Sequence, residues 1–364
     1  MKMKKFVALT LATAMSVTLV ACGKTTSSPT ISNSTSAAKT DNDTTVSEAS
    51  ESDASTNETE ASVQVKSDAM KLTVAYADAE DSIFGKGVSA FKKKLEELSD
   101  GSMTCTVYAN GTLGSVSEVA AMVQQGTCDA SPIVTSSLVD FVPNLGVFDL
   151  PFLFSDYDEA KKAVDGEAGT KLASELENQN LHVGSWMTMG FRNVTSNKDI
   201  EAISDFKGLK IRTQSNEVHQ AIFTALGAQP TVINFSELYT AMEQGTVDAE
   251  ENPYVNIASN SYYSVQKYLV ETNHVFQVAA FLISSSKYNS LTDEQKNWVD
   301  EASKYASDVE WEATVDDNET AKQTCIANGM KFVQLDHDEL LNATTSVYDK
   351  YRDKYSELLK ILGK

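Results

Sequence analysis

Between Gly190 and Pro253 the chain carries Arg192 in G-F-R-N, Arg212 in L-K-I-R, and Asn252 in A-E-E-N-P. A guanidinium keeps its charge and presents a planar fork of N–H donors that matches a carboxylate bidentately. Arg212 ends an expected strand over 209–213, directly after the turn signal Lys207-Gly208. At a strand end facing a cleft it would select carboxylates by geometry. Arg192 follows another expected strand, in a glycine-containing turn. Asn252 can both donate and accept. Glu250 beside it could accept hydrogen bonds from ligand hydroxyls or simply be solvated. Phe235 would form an apolar wall against a carbon skeleton or pack in a core, and Trp186 is a second candidate wall. Asp78 and Glu80, after the first expected strand, could accept hydroxyl bonds. Together these residues suit recognition of a small organic acid.

Strands alternating with helices must position them. Residues 71–77, 104–109, 181–187, 209–213 and 275–284 read as strands, while 83–98 and 218–226 read as helices that stop at Gly101 and Gly227. That alternation is the pattern of α/β lobes. A long helix starts at Thr292, which with Gln295 is placed as a capping box, and ends near Gly329. Trp298, Ala302, Tyr305 and Val309 give it an apolar stripe at helical spacing.

One unit occurs twice. S-E-V-A-A-M-V-Q-Q-G-T-C-D-A at 117–130 matches S-E-L-Y-T-A-M-E-Q-G-T-V-D-A at 236–249 without a gap. Each copy reads as a helix capped by its serine, stopped by a left-handed glycine at Gly126 or Gly245, and followed by a strand over 131–134 or 246–249. Two lobes of similar construction follow from it.

The N-terminus has the layout of an export signal. Met1–Lys5 is basic, Phe6–Ala21 is apolar, and the run ends in L-V-A-C. This resembles the bacterial lipobox, with Cys22 as the lipidated residue, so 1–22 is the expected lipoprotein signal. Residues 23–68 are dominated by Ser, Thr, Ala, Asn, Asp and Glu. Such a segment cannot bury enough apolar surface to order itself, and it is expected to be a disordered tether. Cys105, Cys128 and Cys325 fit no zinc spacing and are expected to be buried small residues, with a Cys105–Cys128 disulfide left open.

A formal net charge of −21 without a basic stripe argues against a nucleic-acid partner. There is no G-x-S-x-G, no H-E-x-x-H and no phosphate loop in the right context. His182, His219, His274 and His337 are scattered without metal spacing, so neither a metal nor a cofactor is expected.

The blocks G-F-R-N, D-F-K-G-L-K-I-R-T, L-G-A-Q-P-T and E-E-N-P, in this order and spacing, resemble the substrate-binding subunits of tripartite ATP-independent periplasmic (TRAP) transporters. The resemblance runs from about Leu72 to the C-terminus. It implies an α/β, two-lobed periplasmic-binding-protein-like fold of type II, with a long helix running across both lobes. Lobe I is expected at 69–190 and 278–317, and lobe II at 191–277 and 318–364. It also implies that Arg212 is the principal clamp on a ligand carboxylate, with Arg192 and Asn252 near the ligand, and that lobe closure presents the ligand to a membrane permease. The family often has Gly-Gln-Glu before the asparagine where this chain has Ala249-Glu250-Glu251. A sugar acid such as a uronate or aldonate is the favoured ligand. The alternative is a C4-dicarboxylate, with Arg192 taking the second carboxylate. Two readings of other classes are a surface enzyme acting on acidic sugars and a ligand sensor feeding a signalling receptor.

Overall fold

The computed structural model describes residues 63–364. The export signal, the lipidation of Cys22 and the tether up to residue 62 lie outside the described residues. The folded part begins earlier than the expected boundary at 68. Lys66 donates its N–H to the carbonyl of Gly101 (2.9 Å), and Met70 donates to that of Ser102 (2.9 Å). Gly101 has φ +71°, and a Cβ there would meet the Gln64 carbonyl at 2.3 Å.

The strands are β1 (Met70–Ala75), β2 (Met103–Tyr108), β3 (Ala130–Val134), β4 (Leu181–Ser196), β5 (Lys210–Thr213), β6 (Gln229–Val232), β7 (Ala249–Pro253), β8 (Tyr268–Ser284) and β9 (Lys331–Gln334). The helices are α1 (Ile83–Leu98), α2 (Val116–Gln125), α3 (Tyr157–Asp165), α4 (Glu167–Glu177), α5 (Glu217–Ala225), α6 (Leu238–Glu243), α7 (Tyr254–Ser259), α8 (Ser285–Ser290), α9 (Asp293–Ala327), α10 (His337–Tyr351) and α11 (Ser356–Ile361). The sheet order is β2-β1-β3-β8-β4-β7-β5-β6, with β9 also on β8. β1, β2 and β3 run parallel on one side, β5, β6 and β7 on the other. The antiparallel pair β4–β8 belongs to both lobes and joins them, from Leu181 opposite Ser284 to Ser196 opposite Tyr268.

The long pair corrects the two short strands expected at 181–187 and 275–284. Gly190 is no turn residue. It sits in a register shift between Thr188 and Gly190 within a continuous strand, with φ +83°. A side chain there would meet the Tyr157 hydroxyl at 2.4 Å. Arg192 therefore lies inside a strand, not after one.

α1 follows the sequence closely. Ser82 Oγ accepts from the Gly85 N–H (3.2 Å), and Phe84, Val88, Phe91 and Leu95 make a buried face at i, i+3/i+4 spacing. Phe91 packs against Phe281 of β8 with ring centroids 4.7 Å apart and the planes tilted by 49°. The capping box of Thr292 and Gln295 starts α9 as expected. Its buried seam is shifted from the expected stripe, however, to Val299, Ala302, Ala306, Glu310 and Thr314, and Tyr305 is exposed. Small residues govern because the helix approaches closely. A Cβ on Gly184 of β4 would meet Ser303 Oγ at 2.7 Å.

The two repeats fold differently at their starts. Ser115 caps α2, not Ser117, and Glu118 closes the capping box. In the second copy a 3-10 turn, Phe235–Glu237, precedes α6 and no side chain caps it, so Ser236 is not a cap. Both stops are as expected, with Gly126 at φ +75° and Gly245 at φ +67°. The second strand begins at Ala249, where Thr246 was expected. Cys105, Cys128 and Cys325 are buried free thiols.

Candidate functional site

Both lobes line a cavity of about 770 Å³. The loop after β1 contributes Tyr76 to Ala79, and the loop leading into α2, with the first turn of that helix, contributes Gly111 and Gly114 to Glu118. The other lobe contributes Arg212, Gln214, Ile233 to Ser236, Asn252, Asn256 and Tyr262. Met189 and Arg192 come from the crossing strand β4.

Arg192 is 2% exposed and almost fully engaged by protein. Its Nε donates to Glu251 Oε2, Nη1 to Gln277 Oε1 (2.7 Å), and Nη2 to the Glu251 carbonyl and to Asn252 Oδ1 (3.2 Å). Glu251 is held further by His274 Nε2 (3.3 Å) and His219 Nδ1 (3.5 Å), while His219 Nε2 meets Asp149 Oδ1 at 3.1 Å. Burial alone would raise the Glu251 carboxyl, but Arg192 and then His219 outweigh it and hold it well below the usual range. Burial would lower His219, yet Glu251 and Asp149, one at each ring nitrogen, raise it. Burial lowers His274, which suits a neutral ring donating from Nε2 to Glu251 and accepting at Nδ1 from Thr272 Oγ1 (2.8 Å). With His219 charged, the two cations of this network match the two anions.

Arg212 is in the opposite situation. It is 3% exposed, and its one hydrogen bond among the described residues runs from Nε to the Ile233 carbonyl (2.8 Å). Its two terminal nitrogens have no hydrogen-bond partner among the described residues. Burial and then Arg192 lower its pKa, with Glu251 opposing, yet a guanidinium remains charged. A desolvated cation with a free fork in a cavity wall is a ready carboxylate site.

Asn252 is fixed between unlike partners. Its Oδ1 accepts from Arg192 (3.2 Å) and its Nδ2 donates to Glu250 Oε2 (2.6 Å), so reversing the amide would break both bonds. Glu250 also accepts from Thr195 Oγ1 (2.8 Å), and burial pushes its carboxyl up to about 7.

Four of the expected residues besides Arg192 line the cavity: Arg212, Asn252, Phe235 and Asp78. Three do not. Glu250 is wholly buried in β7, neither solvated nor at the cavity surface, because its carboxylate braces Asn252 from behind. Glu80 is exposed and outside the lining. Trp186 packs edge to face on Phe148 (6.1 Å), and its carbonyl accepts from Ser307 Oγ and Trp311 Nε1 of α9, so it is core and not wall.

Residues 74–357 match the family described as bacterial extracellular solute-binding protein, family 7 (DctP). The chain belongs to family 7 of the bacterial extracellular solute-binding proteins. Among relatives of this family 7 protein, the C4-dicarboxylate-binding periplasmic protein DctP of Rhodobacter capsulatus is 31% identical over 261 residues, covering 71% of this chain and 78% of the relative. A TRAP periplasmic solute-binding protein from Polaromonas sp. JS666, bound to D-erythronate, is 32% identical with a TM-score of 0.78, over 80% of this chain and 98% of that one. The sugar acid binding protein of Advenella mimigardefordensis, in complex with galactonate, is 29% identical with a TM-score of 0.79, over 82% and 97%. The mixed sheet with crossing strands is thus the two-lobed, type II binding-protein fold. Among the described residues of this family 7 protein, no helix is long and apolar enough to cross a membrane.

Sequence reasoning missed Asn256, Asn260 and Tyr262 in the lining, and the network of His219, His274 and Asp149 behind it. The first of these left a trace. Asn256 and Asn260 are four residues apart, the helical repeat of the short α7 and its C-terminal cap. The histidines left none, because their partners are distant in sequence.

Proposed function

We propose that the protein captures a carboxylate-bearing small molecule outside the cytoplasm and delivers it to the membrane permease of a TRAP transporter. The observation that carries this is the buried, free fork of Arg212 in a cavity lined by both lobes. A ligand carboxylate takes its two terminal nitrogens, Asn252 and Phe235 bound the same space, and the lobes close by hinge motion. The hinge lies where β4 and β8 cross. The boundaries at 190 and 277 are opposite each other in the ladder, with Gly190 paired to Gln277. The lobes are then 69–190 with 278–317, and 191–277 with 318–364. Cys22 carries a lipid anchor on the outer face of the cytoplasmic membrane, and the tether lets the binding unit reach the permease.

A sugar acid, aldonate or uronate, is the favoured ligand. The similar proteins solved with D-erythronate and with galactonate support it. No covalent step is involved, so a bound ligand followed by NMR over hours stays intact. In calorimetry, Arg212→Ala weakens acid binding by about 2–5 kcal/mol through loss of a buried charge-assisted contact. Retention of wild-type affinity would sink the assignment.

A further inference from the structure

The cavity lining carries a second recognition element beside Arg212 and Asn252. Asn256 of α7 is 5% exposed and donates from Nδ2 to Asp78 Oδ1 across the lobes (2.9 Å). Its own Oδ1 is buried without a hydrogen-bond partner among the described residues. Reversing this amide would set its oxygen against a carboxylate oxygen, so the orientation is fixed by the pair itself. An unfilled buried acceptor is costly, and a donor that fills it is correspondingly favoured. Both residues line the cavity, one from each lobe.

The charge balance of the lining points the same way. Its cations are Arg192 and Arg212, and its acids are Asp78, Glu118 and Asp140. Arg192 is already matched by Glu251. One cation is therefore open to a ligand, which accommodates one carboxylate. A second carboxylate would reach a wall with acceptors and no free positive charge.

We propose that Asp78 and Asn256 form a subsite for hydroxyl donors, so that the site selects an acid with one carboxylate and a hydroxylated far end and disfavours dicarboxylates. This rests on the reading that Arg212 binds the carboxylate. Burial pushes the Asp78 carboxyl up to about 6, so near neutrality it is still mostly charged, accepts from a hydroxyl and repels a second carboxylate. A hydroxyl bonded to both residues also joins the lobes, and so couples recognition of the far end to closure.

D-erythronate and succinate have equal chain length, but the first carries hydroxyls at C2, C3 and C4 where the second has bare methylenes and a far carboxylate, so they are the decisive probes, with galactonate as a longer hydroxy acid. Calorimetry on the wild type is expected to give tighter binding of the hydroxy acids than of succinate. Asn256→Ala weakens the hydroxy acids about tenfold, the worth of roughly one hydrogen bond, and leaves succinate nearly unchanged. Asp78→Asn, which keeps size and one acceptor but removes the charge, strengthens succinate and narrows the gap. If Asn256→Ala melts early and cannot be used, the isosteric Asp78→Asn decides alone. The proposal is overturned if succinate binds the wild type as tightly as D-erythronate and galactonate do, or if folded variants keep the wild-type ratio. Should hydroxy acids and succinate alike fail to bind, or bind equally well to Arg212→Ala, the proposed carboxylate capture falls and the subsite falls with it.

Discussion

Arg192 and Arg212 lie in one cavity wall, equally deep, and do opposite work. Arg192 is engaged by Glu251, Gln277 and Asn252 through four of its five N–H donors, in a network that continues to His219, Asp149 and His274. Arg212 holds one carbonyl and offers its fork to the cavity. Burial penalises both charges. In the first case protein supplies the compensation, and in the second a ligand anion must. The same residue type is thus architecture at one position and recognition at the other. The partners make the difference, since both arginines are almost fully buried.

The comparison breaks most visibly at Glu251. Glu251→Ala leaves Arg192 and His219 buried without their shared anion, and it should cost about 3–5 kcal/mol of stability in chemical denaturation. The double replacement Arg192→Met with Glu251→Leu removes both charges and should recover much of that loss. If Glu251→Ala unfolds at the wild-type denaturant concentration, the Arg192 network is not structural.

A smaller effect, with a pH signature, belongs to Glu250, which reaches Arg192 through Asn252 and feels the charge of Arg212. Its folded pKa of about 7 lies above the ordinary 4.5, so the native state holds this proton more tightly than the unfolded chain does. The stability it contributes is fully present below about pH 4.5 and is lost as pH rises through about 7, a change of at most about 3 kcal/mol. Gln is tolerated by the geometry. Its oxygen can accept from Asn252 Nδ2 while its amide donates to the Thr195 hydroxyl, which turns toward Gln266 Oε1 (3.4 Å). Melting curves should therefore show Glu250→Gln gaining on the wild type between pH 5 and pH 8. A constant difference across that range would show that Glu250 is ionised throughout.

Arg212 should behave the other way from Glu251. Without ligand, Arg212→Met removes a desolvated charge and sacrifices one bond to Ile233, so stability rises by on the order of 1 kcal/mol. A melting temperature lowered as far as that of Glu251→Ala would erase the distinction between the two arginines.

Much of this arrangement was legible in the sequence where the determinants are local. α1 and the start of α9 follow from Ser82, Thr292 and Gln295 and from apolar spacing. Arg212, Asn252, Phe235 and Asp78 were identified as cavity residues by type and context. β4 was not legible in full, because Gly184 and Gly190 break its alternation, and burial on both faces removes the period-two signal. Glu250 read as a ligand contact or a solvated carboxylate, since nothing nearby in the chain announces Thr195 as its partner, or Arg192 and His219 as those of Glu251. Long-range charge pairing is what a single sequence hides.

The two repeats give the smallest and most local test of what matching letters mean. Ser115, outside the matching block, accepts from the Glu118 N–H (3.4 Å), and Glu118 Oε2 accepts from the Ser115 N–H (2.8 Å). Ser236, inside the block, caps nothing. Ser115→Ala should then cost about 1 kcal/mol, and Ser236→Ala close to nothing. The reason for the difference lies in function. The second copy enters its helix through a 3-10 turn that carries Phe235 at the cavity, on the same side as Arg212 and Asn252. Equal costs for the two serines would mean that the second copy is capped like the first in solution, and that this turn is not what holds Phe235 against the ligand space.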